Sequence, residues 1–205
     1  EDALLAPDPA AALHRLTPEI RPEPGLGATV GFGDGKHHKA LWPHTCTVVS
    51  QTPPKLHLRY AALFHDAGKV ERFRMVDGKV SFHGHEQVSG RIWRRWAALR
   101  KPHVDADHVY DIVVGLGLLE AFGDDWTDSA VRRLDRELAG RFEDVLAVSR
   151  ADITTSRPER RRAILERMDR LLARVVELRR VDAIPPALPT GLGTELEREF
   201  GLRGR

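Results

Sequence analysis

The chain has 205 residues, 41% of them hydrophobic, with one cysteine (Cys46) and no apolar run of about 18 residues, which excludes a disulfide scaffold and a membrane-spanning helix. That leaves a soluble chain of one large domain or two small ones, suited to a reducing, cytoplasmic setting. The formal net charge is only +2 but unevenly placed, with nine arginines against four acids between Arg157 and Arg180. This segment reads either as a solvated helix face or as a surface for a phosphate backbone.

The opening residues, EDALLAPDPAAALHRL, lack the basic and apolar regions of a signal peptide. They also lack a methionine, and we expect a segment upstream to have been cut away. A short helix should follow the turn PDPAA, and a Pro/Gly-rich connection runs to about residue 36. Pro43 suits the first position of a helix carrying HTCTVVSQ, and a second helix is predicted over 55–65. In RFRMVDGKVSFHG, alternation around Asp77–Gly78 predicts a hairpin near 72–83. Helices are then expected over 85–101, near 105–121, after Thr127 or Asp128, through FEDVLAVSRADITT, which ends in polar residues, and over 158–181, with a last short one at TELEREFGL. The fold class is all-α with one small inserted hairpin.

Three helix ends carry the chemistry. His44 opens one helix, His65–Asp66 closes the next, and Asp152 closes a third; His85 opens another. Imidazoles and carboxylates together suit one divalent ion such as Mn, Fe, Co, Ni or Zn, and Mg less well. Ligands drawn from several helix ends leave coordination positions open, as catalytic sites do. Cys46 reads as an inert helix residue, and Trp93 and Trp96, three apart, as core. His37, His38 and His83 read as loop or surface residues.

The order His, then His-Asp, then a distant Asp resembles the signature of HD-domain metal-dependent phosphohydrolases. The segments PHTCTVV, RYAALFHDAGK, VSFHGHEQVSGRIWRRWAALR, WTDSAVRRL and VSRADITT resemble, in order and spacing, the neck-and-body half of bacterial tRNA nucleotidyltransferases, the CCA-adding enzymes. The resemblance implies an HD-domain helical bundle over 37–155, a neck-like segment and linker over 1–36, and a helical body segment over 156–205. It implies His44, His65, Asp66 and Asp152 as metal ligands. The polymerising head of that family would precede residue 1, and nothing here supplies it. Where the family often has a further histidine, this chain has Gly117. One metal ion is therefore expected rather than two, with His103 and His108 as remote substitutes.

The chemistry implied is hydrolysis of nucleotide phosphomonoesters, 2′,3′-cyclic phosphates or RNA 3′ ends by metal-activated water. Asp66 would ligate and orient the water. Lys69 would meet phosphate as a point charge, or else cap the helix. His85, at a helix start, would donate a proton or contact substrate. Arg132 and Arg133 fall in a block that handles RNA in the resembled family, or are ordinary surface charge. Two further readings stay open: a non-catalytic tRNA-binding body, truncated or split from its head, and an HD-type di-iron oxygenase.

Overall fold

The computed structural model describes residues 1–33, 40–120, 122–123, 125–138, 140–184 and 198–199, with the backbone alone at 120. Helices α1 (Asp2–Leu5) and α2 (Pro9–Arg15) come first, and the Asp8 carboxylate caps α2 by accepting the Ala11 N–H at 2.9 Å. A short α3 (Thr17–Ile20) and a 3₁₀ turn, Gly27–Thr29, lead towards the first site helix. That helix, α4 (Leu41–Gln51), starts two residues earlier than expected. Pro43 is its third residue instead of its first, a position where an N–H would still find no carbonyl within the helix.

Every residue of α5 (Leu56–Phe64) from Leu58 onward is buried. A helix apolar on all sides belongs inside a bundle, and α5 runs through the middle of this one. The one charged residue among them, Arg59, donates to the backbone carbonyls of Thr52 and Leu4. After α6 (Lys69–Arg72) the hairpin appears where its turn placed it. Strands β1 (Arg74–Val76) and β2 (Lys79–Ser81) pair Met75 with Val80, and Asp77 and Gly78 both take positive φ, +49° and +73°. Two left-handed residues in succession give a turn whose twist matches the strands.

The rest is helical: α7 (His85–Arg100), α8 (Ala106–Glu120), α9 (Asp128–Glu137), α10 (Phe142–Ala151) and α11 (Pro158–Asp182). Thr127 caps α9, its Oγ1 accepting from the Ala130 N–H. The expected helix at TELEREFGL lies outside the described residues, except that Arg198 and Glu199 are helical. Helix α8 packs against α7, α5 and α10, and its Val109, Ile112 and Val113 are fully buried. Leu4, Leu13 and Leu26 from the start of the chain, and Leu171, Val175 and Leu178 from α11, join the same core.

Tyr60, Phe64, Trp93 and Trp96 form an aromatic cluster, with Phe64 and Trp93 edge to face at 5.2 Å. Both indole N–H groups are satisfied: Trp93 donates to the Ala106 carbonyl at 2.7 Å and Trp96 to Glu23 at 2.9 Å. Polar handles with partners are what let such rings sit in a core. Among the described residues, no helix is long and apolar enough to cross a membrane.

Candidate metal centre

The C-terminal ends of α5 and α10 meet the first turns of α4 and α7, and four predicted ligands come together there. His44 Nε2 lies 2.9 Å from Asp152 Oδ1 and 3.5 Å from Asp66 Oδ2. His65 Nε2 lies 3.2 Å from Asp66 Oδ2 and 3.6 Å from Asp152 Oδ1. His44, His65 and Asp66 are buried, whereas the Asp152 side chain is 33% exposed, so the cluster opens on the Asp152 side.

The imidazoles are oriented from behind. His65 Nδ1 sits 2.7 Å from the Ala62 carbonyl oxygen, which can only accept, so Nδ1 carries the proton and Nε2 presents a lone pair. His85 repeats the arrangement, its Nδ1 3.2 Å from the Phe82 carbonyl oxygen. His44 Nδ1 is 3.2 Å from the Thr154 hydroxyl. Fixing one ring nitrogen so that the other is bare is how proteins aim histidine at a metal. His44 Nε2, His65 Nε2 and Asp152 Oδ1 are buried without a hydrogen-bond partner. Nitrogens and a carboxylate oxygen converging on one point are costly unless a cation, a proton or a metal ion, lies among them. His44, His65 and Asp66, whose ligand atoms lie within 4.8 Å of one another, could hold a metal ion, with Asp152 Oδ1 beside the two imidazoles.

Charge and helix polarity agree. Burial alone would raise the Asp66 pKa, but the His65 charge and the closeness of the His44, His65 and His85 imidazoles hold it well below the carboxylate range. Asp152 is likewise held low by His44 and His65 against the effect of burial. Burial works to lower the His65 pKa, yet the Asp66 charge and the closeness of both carboxylates push it up to about 10. A site that keeps a proton so tenaciously is strongly attractive to cations. The negative ends of α5 and α10 add to that attraction, offset in part by the N-terminal turns of α4 and α7.

Compared with family models, curated proteins and solved structures, the chain finds no match. The site must therefore be judged on its own geometry.

The remaining sequence candidates scatter. Lys69 Nζ bonds Asp66 Oδ2 at 2.8 Å and stands 5.6 Å from the centre of the Phe82 ring. His85 Nε2 is 3.3 Å from the other Asp66 oxygen, Oδ1, so this carboxylate faces both sides of the site. Arg132 is outside the centre, its guanidinium forked onto Asp182, and Arg133 lies 3.8 Å from Glu137. His83 is exposed, His103 is exposed beside Glu1, and His37 and His38 lie outside the described residues. Cys46 is buried, which pushes its thiol up to about 12 and makes it inert.

Neither His103 nor His108 replaces the missing ligand. His108 joins His57 and Asp144 in a second group, with Asp144 Oδ2 2.7 Å from His108 and 3.5 Å from His57. His57 precedes His65 by eight residues, as Asp144 precedes Asp152, which is about 12 Å along each helix. This second group therefore sits at the positive N-terminal ends of α5, α8 and α10, the wrong polarity for a dication. Sequence reading also missed Glu86. A side chain at Gly117 would meet its carboxylate, 3.1 Å from an added Cβ, and Glu86 Oε1 lies 3.4 Å from His85 Nδ1.

Proposed function

We propose that the chain is a metal-dependent phosphohydrolase acting on nucleotide phosphomonoesters, 2′,3′-cyclic phosphates or RNA 3′ ends. One observation carries this reading. A cavity of about 580 Å³ has His65, Asp66, His85 and Asp152 in its wall, so the bare ligand atoms adjoin a space of substrate size. His44, His65, Asp66 and Asp152 would hold one divalent ion. Such an ion, when bound, supplies Lewis-acid stabilisation of a phosphoryl oxygen and lowers the pKa of water from about 15.7 towards 7.

The chain's own groups divide the remaining work. Asp66 presents Oδ2 to the ligand cluster and Oδ1 to His85, so it both ligates and orients. Lys69 offsets part of the negative charge beside it, which eases the approach of an anionic substrate. The free N–H groups at the start of α7 favour phosphate at the same wall. His85, with Nδ1 committed to the Phe82 carbonyl, can take a proton on Nε2 against Asp66 and release it to a leaving oxygen.

The rival reading, a tRNA-binding body, rests on the arginines of α11. Several of these are already satisfied within the chain, Arg174 by Asp128, Arg179 by Asp135 and Arg180 by Glu177. The deciding experiment assays metal-loaded protein on a panel of phosphomonoesters and cyclic phosphodiesters. Hydrolysis should stop on chelation and in Asp66→Ala. Protein with stoichiometric metal that hydrolyses nothing in the panel would retire the proposal.

A further inference from the structure

The same cavity has a second charged wall. Arg160, Ile164, Arg167 and Met168 of α11 line it together with the ligand cluster. Spaced i, i+4, i+7 and i+8, they share one helix face, and the two arginines stand two turns, roughly 10 Å, apart along the axis. Other arginines on α11 are paired: Arg162 with Glu166, Arg174 with Asp128, Arg179 with Asp135. Arg160 and Arg167 make no hydrogen bond or ion pair with any described residue, and Arg167 is half-buried. Two cations left unpaired in the wall of a cavity repel each other and gain from a shared anion.

We infer that Arg160 and Arg167 form a second phosphate subsite, and that the cavity takes a nucleoside bearing phosphate on both its 3′ and 5′ sides. The guanidinium fork matches phosphate oxygens bidentately. Leu116, Leu119, Ile164 and Met168 also line the cavity and supply apolar surface suited to base and ribose. A simple phosphomonoester would use the metal end alone. A 3′,5′-bisphosphorylated unit fills both ends, either free or as the 3′-phosphorylated terminal residue of an oligonucleotide.

This inference rests on the hydrolase reading for the chemistry at the metal end, but its test does not require turnover. Binding of adenosine 3′,5′-bisphosphate, adenosine 5′-monophosphate and a short 3′-phosphorylated oligoadenylate is measured calorimetrically on the full chain, metal-free and manganese-loaded. Arg160→Gln/Arg167→Gln should weaken bisphosphate binding by about tenfold or more, with Arg167→Lys intermediate because it keeps charge but loses the fork. Arg162→Gln, outside the cavity, should bind as the unaltered chain does. With manganese the bisphosphate should outbind the monophosphate, and the oligonucleotide arm tells a free nucleotide from an RNA end. Unchanged binding in the double variant, or an equal loss in Arg162→Gln, overturns the subsite. Arginine-dependent binding in a chain that hydrolyses nothing would retire the hydrolase and leave the subsite standing.

Discussion

His44 Nε2 and Asp152 Oδ1 lie 2.9 Å apart, although one side chain begins α4 and the other follows α10. The approach is enforced at the other end of α4, where Gln51 Nε2 donates to the Ala151 carbonyl at 3.1 Å. The two helices are thus clamped, and the ligand pair is set by packing before any ion arrives. Such pre-organisation is what a metal site needs, because ligand ordering need not be offset at binding.

The first prediction concerns stoichiometry. Elemental analysis of protein saturated with Mn, Zn or Fe and then desalted should give about one ion per chain, falling to near zero in His65→Ala and Asp152→Ala. His57→Ala and His108→Ala should keep the ion, since their group faces helix N-termini. Loss of the ion in the His57 variant instead would place the metal at the second group.

A metal ion held by His65 would compete with a proton there, which predicts a pH dependence. Its pKa rises from an ordinary 6.5 to about 10 in the folded chain. A raised folded-state value means that the imidazolium stabilises the metal-free fold fully below pH 6.5, and that this contribution is lost as pH climbs through about 10. Binding a divalent ion needs the same nitrogen bare. Affinity should therefore rise about tenfold per pH unit from 7 upward, with roughly one proton released per ion. Calorimetry in two buffers of different ionisation enthalpy reads the proton count directly, and a count of zero would mean that His65 is no ligand.

The sequence showed the ligands because each stands at a helix end beside a local signal: Pro43 near His44, a polar stop after Phe64, the polar residues after Ala151. The hairpin was legible for the same reason, its whole code lying in Asp77 and Gly78. What was hidden depends on docking between distant segments. Eight arginines of α11 look alike in the chain, and only its packing on α9 assigns Arg174 to Asp128 and Arg179 to Asp135, while Arg160 and Arg167 line the cavity. Glu86 was hidden too, because its neighbour Gly117 is one α8 turn brought against α7 by tertiary contact. The Pro43 offset has a smaller cause: proline is tolerated anywhere in the first turn, so it marks a helix start only to within two residues.

The aromatic cluster supplies a stability prediction. Trp93 is fully buried, touches Tyr60, Phe64 and Trp96, and ties α7 to the start of α8 through the Ala106 carbonyl. Trp93→Ala should cost about 3–5 kcal/mol, from lost burial and the cavity left behind. Urea denaturation followed by circular dichroism measures it. A loss under about 1 kcal/mol would mean that α7 is not held to the core as described.

Gly68 links fold and site most directly. It follows the His-Asp pair by two residues, and its N–H donates to Ser89 Oγ at 2.8 Å. A Cβ built there would fall 2.2 Å from the His85 carbonyl oxygen and 2.7 Å from the Ser89 nitrogen, both backbone atoms that no rotamer change can move. Gly68→Ala must therefore push the start of α7 outward, at a cost of about 1–3 kcal/mol for the overpacking. His85 rides on that turn, so the displacement should also break its approach to Asp66. On the proposed hydrolase reading, the variant should be folded, less stable in urea and able to bind metal at His44, His65, Asp66 and Asp152, but should lose most of any phosphatase kcat. Equal activity in Gly68→Ala and the unaltered chain would show that the His85–Asp66 contact plays no part in turnover.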